Sequence, residues 1–346
     1  MKKVLVITED ISKPIDEGVK KFSFYLVKFF DSSPGEALIF SRTTNEDVTE
    51  IHSLPGNRLF FSFSFFSKIS KFRPEALVYV PASSSTMMSF IRLAIITSVS
   101  RVRFSIMISV QERRHSSLAK RIIRLLKPDQ LVVLSRKEAD YYEKLGMNCI
   151  ASPVGVNTDK FFEVSTEQQI AIRKKLQLPL ESKIALHVGH IKRGRNLELL
   201  KGLLEIGYQV VVIVSTRFES DNELKTELEN AGYRFITDYI ESIQEYYQAC
   251  DIYVFPVESA TNAMEFPASV LEAMSCNKPV LTTHFGGIDS FLFETNWFKY
   301  FDSEKELLDK AAIFEKHPKC ENRQLILEQF SWNGVYKNLF IKNKLI

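Results

Sequence analysis

Short, wholly apolar runs alternate with longer stretches in which apolar positions recur every three or four residues, and this alternation runs along the chain. Residues 3–8 (KVLVIT), 36–41, 76–80, 103–110, 130–134 and 148–151 read as strands, since β-branched and apolar residues follow one another with no polar face. Helical periods lie between them, at residues 19–30, up to residue 99 after the Pro81–Ser85 turn, at 117–126, and at 136–145 with Gly146 as a stop. A charged helix near 166–176 follows, and then the pattern restarts. Strands are expected at 183–188, 209–215, 234–237, 251–256 and 279–283, with helices at 195–206, 220–231, 242–248 and from 269. Strands that alternate with helices give parallel sheets covered on both faces. Two such series predict an α/β protein of two doubly wound parallel-sheet domains facing across a cleft, with ligands outside the carboxyl ends of the strands. The expected divisions are an N-terminal domain at 1–162, a linker at 163–180, a C-terminal domain at 181–328, and a closing helix at 329–346 that returns toward the first domain.

Composition changes this picture little. With 346 residues, 45% of them hydrophobic and 25% charged, the chain is long enough for two packed cores and too apolar for disorder. Charge is more informative. Residues 1–160 hold 24 Lys and Arg against 16 Asp and Glu, a net +8, and the remainder is net −5. A basic front half suits an anionic membrane surface or an anionic substrate, and no motif supports nucleic acid. Cys149, Cys250, Cys276 and Cys320 form no CxxC pair, and the histidines show no HxxxH or HExxH spacing, so free thiols and no metal site are expected. The apolar run after Met1 is only four residues, and the stretch near 89–99 is broken by Arg92 and short of the ~20 residues of a membrane span. A soluble, cytoplasmic protein is expected.

Chemistry concentrates at 264–287 (MEFPASVLEAMSCNKPVLTTHFGG). A loop enters a helix at Ser269, where unpaired amides and the positive end of the helix dipole suit a phosphate, Val270 lying in the same turn. Glu272, one turn further, can accept hydrogen bonds from ribose hydroxyls. The same Ser269-x-x-Glu272 spacing also fits a capping box, and both readings stand.

This segment resembles the signature of the retaining, nucleotide-sugar-dependent glycosyltransferases of family four, whose GT-B fold pairs two Rossmann-like domains. Other segments match that family in order: the glycine turn at Gly18, SPVGVNTDKF at 152–161, HVGH at 187–190 through Arg195-Asn196, YYQACDIYVFP at 246–256, and Phe330-Ser331-Trp332 at the final helix. The resemblance covers essentially the whole chain. It implies metal-independent transfer from a UDP- or GDP-sugar, with no further cofactor, to a glycan or lipid-linked acceptor in polysaccharide biosynthesis. It implies roles residue by residue. Glu272 takes the place of the second glutamate of an E-x7-E pair, on the donor ribose. The first glutamate falls at Met264, and Glu265 beside it is the candidate replacement at the donor sugar. Arg195 stands where the family has a lysine that steadies the leaving diphosphate, and a guanidinium keeps that chemistry. His190 stands at the family's arginine, and Lys192 and Arg193 are available to share its duty. Gly18 is implied at a turn near the acceptor and phosphate, Gly287 at a turn facing the donor, and Tyr239 and Ile240 where backbone groups read the base. The family's histidine after the third strand is absent, the region being Val80-Pro81-Ala82-Ser83-Ser84, and Ser215-Thr216-Arg217 replaces a glycine-rich turn.

Gln111, Glu112, Arg113 and Arg114 follow the fourth strand and are candidates for an anionic acceptor. Residues 59–73 mix Phe with Lys and Arg, which fits either a membrane-facing segment or a core element of the first domain. Besides a glycosyltransferase, a non-catalytic nucleotide-sugar-binding GT-B protein of a glycan-assembly complex and a nucleotide-sugar epimerase share this pattern.

Overall fold

The computed structural model describes every residue except 1, 16–17, 33–34, 215–220, 239, 259–265, 315–318 and 343–346. The chain divides into two units, residues 1–155 with the segment from Trp332 on, and residues 156–262 with 267–331.

In the first unit the alternation produces β1 (Val4–Thr8), α1 (Gly18–Asp31), β2 (Ala37–Ser41), β3 (His52–Ser53), α2 (Phe63–Phe72), β4 (Ala76–Val80), α3 (Met87–Ser100), β5 (Phe104–Ile108), α4 (Ser117–Leu125), β6 (Gln130–Val133), α5 (Arg136–Glu143) and β7 (Cys149–Ala151). All pairings are parallel, in the order β3-β2-β1-β4-β5-β6-β7. Side chains alternate across a strand. One face, carrying Leu5, Ile7, Leu77, Tyr79, Met107 and Leu131, therefore packs against Phe65, Phe90, Ile123 and Tyr142 from α2 to α5. Ser and Thr side chains set several helix starts: Thr86, Ser116 and Ser135 each accept a backbone N–H of the first turn.

The second unit contains α6 (Thr166–Lys175), β8 (Lys183–Gly189), α7 (Lys201–Glu205), β9 (Tyr208–Val214), α8 (Asn222–Asn230), β10 (Arg234–Ile236), α9 (Gln244–Ala249), β11 (Ile252–Phe255), α10 (Ala268–Ser275), β12 (Val280–Thr282), β13 (Phe298–Tyr300), α11 (Glu304–Phe314) and α12 (Asn322–Gln329). Its parallel sheet runs β10-β9-β8-β11-β12-β13. Counted from β8, that is the 3-2-1-4-5-6 order of a dinucleotide-binding sheet, whose direction reverses between β8 and β11. The chain ends in α13 (Trp332–Lys342), which packs on α1. Trp332 stacks on Tyr25 with ring centroids 5.0 Å apart, and the Tyr336 hydroxyl donates to the Phe22 carbonyl at 2.7 Å.

Several expectations change. The 163–180 segment is no linker: α6 packs on α9, and buried Arg173 pairs with Asp251 at 2.6 Å and donates to the Ala249 carbonyl at 2.8 Å. The first unit gives way at Gly155, where a Cβ would come within 2.5 Å of Trp332, rather than at 162. The 195–206 helix splits, because Asn196 takes φ 57° and only a 3-10 turn at Leu197–Leu200 precedes α7. Residues 59–73 contribute to the core of the first unit through one face of α2. Phe65 and Ile69 of α2 are buried, while Phe61 and Phe63 are 68% and 89% exposed. Thr86 caps α3, and the serines after β4 bond elsewhere: the Ser84 hydroxyl accepts the Gln111 amide, and Ser85 bonds Tyr142 and Ser109. Arg113 donates to the Ser83 carbonyl, and Arg114 pairs with Glu112 and Glu138.

Candidate active site

The reversal point of the second sheet lies at the carboxyl ends of β8 and β11, and the polar side chains of β8 and its following loop collect there. β8 ends in His187, Val188 and Gly189, followed by His190. The loop then folds back: the Arg195 amide donates to the Lys192 carbonyl at 3.2 Å, with Gly194 at φ +83° supplying a left-handed residue. This turn carries Arg195 inward. Its Nε is buried with no hydrogen-bond partner, and among the described residues no carboxylate pairs with it. Burial pushes the guanidinium below its ordinary pKa, and the one opposing influence is Tyr253. Arginine keeps its charge in such surroundings, so a half-buried cation stands there with no anion among the described residues. The turn's other cations point elsewhere. Lys192 is exposed, and Arg193 lies 3.7 Å from both Asp221 and Glu227.

His187 is completely buried. Its Nδ1 donates to the Val254 carbonyl of β11 at 2.9 Å, which leaves Nε2 as a bare lone pair, and Nε2 has no partner. Burial first, then Arg195, lowers its pKa to about 3, so the ring is neutral. His190 is shifted down by the same two causes. At pH 7 it is a neutral donor or acceptor, not a second cation.

Beside β11 stands the start of α10. Its N-cap is Pro267, which has no N–H, and no side chain caps the turn. Ser269 therefore sits inside the helix, and the capping box with Glu272 does not form. The Val270 amide returns to the Pro267 carbonyl at 3.1 Å, and those of Ala268 and Ser269 find no acceptor among the described residues. Tyr253 links this turn to the loop after β8. Its buried hydroxyl has Ser269, Glu272, the Val188 backbone and Arg195 as polar neighbours. Glu272 is 6% exposed and accepts from the Tyr247 hydroxyl at 2.9 Å.

The second unit thus brings Arg195, His190, Ser269 and Glu272 into one cluster through Tyr253 and His187. Of the other sequence candidates, Ile240 is half-buried in the loop after β10, and Gly287 is buried at φ −101°, the positive φ of that pair falling on Gly286. Gly18 opens α1 in the first unit. Glu265, Tyr239 and residues 215–217 lie outside the described residues. Sequence reasoning missed His187, Tyr247 and Tyr253. The available signal was polar atoms inside fully apolar strands, such as the His of KIALHVG.

Residues 168–325, nearly all within the second unit, match the family described as glycosyl transferases group 1. The putative teichuronic acid biosynthesis glycosyltransferase TuaC of Bacillus subtilis is 28% identical over 166 residues, 46% of this chain and 40% of the relative. The N,N'-diacetylbacillosaminyl-diphospho-undecaprenol alpha-1,3-N-acetylgalactosaminyltransferase of Campylobacter jejuni is 26% identical over 199 residues, 53% of this chain and 50% of that protein. The chain thus spans half or less of the length of these curated relatives. Among solved structures, a glycosyltransferase from Rickettsia africae superposes with a TM-score of 0.80 at 15% identity, covering 99% of this chain and 98% of that one. The Anabaena protein HepE in complex with UDP-glucose gives 0.69 at 13% identity, covering 100% of both chains. The parallel sheets, their strand order and the structural likenesses identify a GT-B fold, and it is the second unit of that fold that resembles the group 1 glycosyl transferases.

Proposed function

We propose that this protein is a retaining glycosyltransferase that takes a sugar from a UDP- or GDP-sugar bound by the second unit and passes it to a glycan or lipid-linked acceptor. The observation that carries this reading is Arg195, a half-buried guanidinium whose buried Nε has no partner and which meets no carboxylate among the described residues, placed with the first turn of α10 around Tyr253. A diphosphate supplies the missing anion. As the bond to the sugar breaks, charge grows on that diphosphate, and donors already oriented in a water-poor site stabilise it most when the charge is largest. In this reading Arg195 and the α10 amides take the part a metal plays elsewhere, neutral His190 donates a hydrogen bond, Glu272 holds the ribose, and Glu265 meets the donor sugar. The relatives named for teichuronic acid and for a diphospho-undecaprenol acceptor support polysaccharide assembly as the setting.

The acceptor side of the proposal places the first unit on the cytoplasmic face of the membrane. Residues 51–128 hold 13 Lys and Arg against two Asp and Glu. Helices α2, α3 and α4 pack side by side there, and Leu118 and Leu125 of α4 are 67% and 85% exposed, with Arg121 and Arg124 between them. Exposed apolar side chains set among cations are what an anionic lipid surface retains.

The test is calorimetric titration of the purified protein with UDP-, GDP- and ADP-sugars, followed by assay with lipid-linked acceptors. Binding of at least one donor is expected, weakened at least tenfold by Arg195→Gln and by Glu272→Ala. No binding of any donor, or binding indifferent to both substitutions, overturns the reading. Conversion of donor without acceptor points to an epimerase instead.

A further inference from the structure

Position 187 is unusual for the centre of a sheet. A buried, unsatisfied acceptor gives up its hydration and gains no hydrogen bond in return. A Val or Phe there would avoid that cost, and the run around it is otherwise apolar. The ring cannot turn to relieve its Nε2, because Nδ1–H is fixed on the Val254 carbonyl.

Two neighbours show where Nε2 faces. A Cβ built on Gly189 would stand 2.7 Å from His187 Nε2 and 3.3 Å from Arg195 Nη2. The side chain that Gly189 lacks is therefore a notch, bordered on one side by a lone pair and on another by a guanidinium N–H. Arg195 can only donate, and neutral His187 Nε2 can only accept.

We propose that His187 is a positioning residue for Arg195, its bare Nε2 accepting a hydrogen bond from Nη2 across the Gly189 notch when Arg195 engages the anion. The inference rests on the diphosphate reading of this site and goes beyond it. It also accounts for the choice of residue. A carboxylate at this point would orient the guanidinium more firmly but would neutralise it and compete with the diphosphate. A protonated imidazole would repel it. A neutral imidazole fixes the direction of the fork and leaves its charge for the ligand. Gly189 is required because any side chain would separate donor from acceptor.

The experiment measures UDP and GDP affinity by calorimetry for the wild type, His187→Phe, His187→Gln, Arg195→Gln and the His187→Phe/Arg195→Gln double variant. One hydrogen bond to a charged group corresponds to roughly a tenfold loss in His187→Phe. His187→Gln, which returns an acceptor near the Nε2 position, recovers a good part of it. The double variant binds no worse than Arg195→Gln alone. In parallel, the His187 Nε2 nitrogen-15 resonance of the wild type is followed during UDP addition, and it moves upfield as the lone pair takes a hydrogen bond. The resonance needs no substitution, so it decides the matter even if His187→Phe fails to fold. Independent losses in the double variant, or an Nε2 resonance unmoved by saturating UDP, overturn the proposal while leaving Arg195 as the anion ligand. If the wild type binds neither UDP nor GDP, the diphosphate reading falls and this inference with it.

Discussion

The site turns on two side chains whose sequence positions say different amounts about them. Arg195 was legible, because a basic residue in a turn after a buried strand is a plausible anion ligand and the family resemblance points to it. His187 was not legible, since in an apolar run it reads as one more core residue. Its meaning comes from a carbonyl two-thirds of a hundred positions along the chain and from a side chain that Gly189 does not have. The pKa of His187 makes a prediction about stability. The unfolded chain takes a proton on this ring near pH 6.5, but the folded ring refuses it down to about pH 3. The folded pKa is depressed, so the contribution is full above 6.5 and is lost progressively as pH falls toward 3. Between pH 7 and pH 5 the loss is about 2 kcal/mol. Urea unfolding at those two pH values checks it. His187→Phe should show a shallower decline, and an unchanged decline would mean that other groups dominate acid sensitivity. The lowered pKa of His190 acts in the same direction and will remain in the variant.

At the scale of elements, most strands followed from apolar runs, because strands buried on both faces leave little else to read. The failures have particular causes. β3 is two residues long and polar, and β13 carries Lys299 between its two aromatic residues, so neither shows an apolar run. α6 carries charge on most of its surface and looks like a linker until Arg173 is seen to reach across to Asp251 and the Ala249 and Ser182 carbonyls. That contact predicts the behaviour of the whole element. Removing Arg173 leaves half-buried Asp251 without its cation and the Ala249 carbonyl without its donor, so Arg173→Ala should cost about 1–3 kcal/mol. Denaturant titration of the full chain reads the loss, and a cost below 1 kcal/mol would show that water replaces the guanidinium. Gly155 is the matching case at the other crossover. Its missing Cβ admits Trp332, whose Cα would lie only 2.7 Å from a Cβ placed there. Gly155→Ala should lower the melting temperature and expose α13 to proteolysis, whereas an unaltered cleavage pattern would mean that α13 holds by its aromatic contacts alone. The start of α10 was the hardest to read. Ser269 and Glu272 spell a capping box, and only the backbone reveals that Pro267 is the cap and that no side chain caps the turn.

For the whole molecule, charge separates two tasks. The proposed diphosphate site would depend on one sheltered cation in a unit drawn from the acidic part of the chain, so its strength would come from burial and not from net charge. The first unit holds most of its cations in the open, Arg92 and Lys20 being sheltered exceptions, and exposed cations act collectively and at long range but are weakened by salt. A sequence reading sees the total of each half and cannot tell these modes apart. The difference can be measured. Vesicles containing phosphatidylglycerol should retain the protein, and vesicles of phosphatidylcholine alone should not. Each Lys or Arg near an anionic surface contributes about 1 kcal/mol, so Arg121→Gln with Arg124→Gln should weaken partitioning roughly 30-fold. Lys305→Gln on α11 removes a charge from the second unit and should leave partitioning unchanged. UDP affinity should be unaltered in all three, because the guanidinium that meets the diphosphate is none of these residues. Partitioning that ignores the loss of Arg121 and Arg124, or that persists on phosphatidylcholine, would remove lipid from the partners of this surface while leaving the nucleotide site intact.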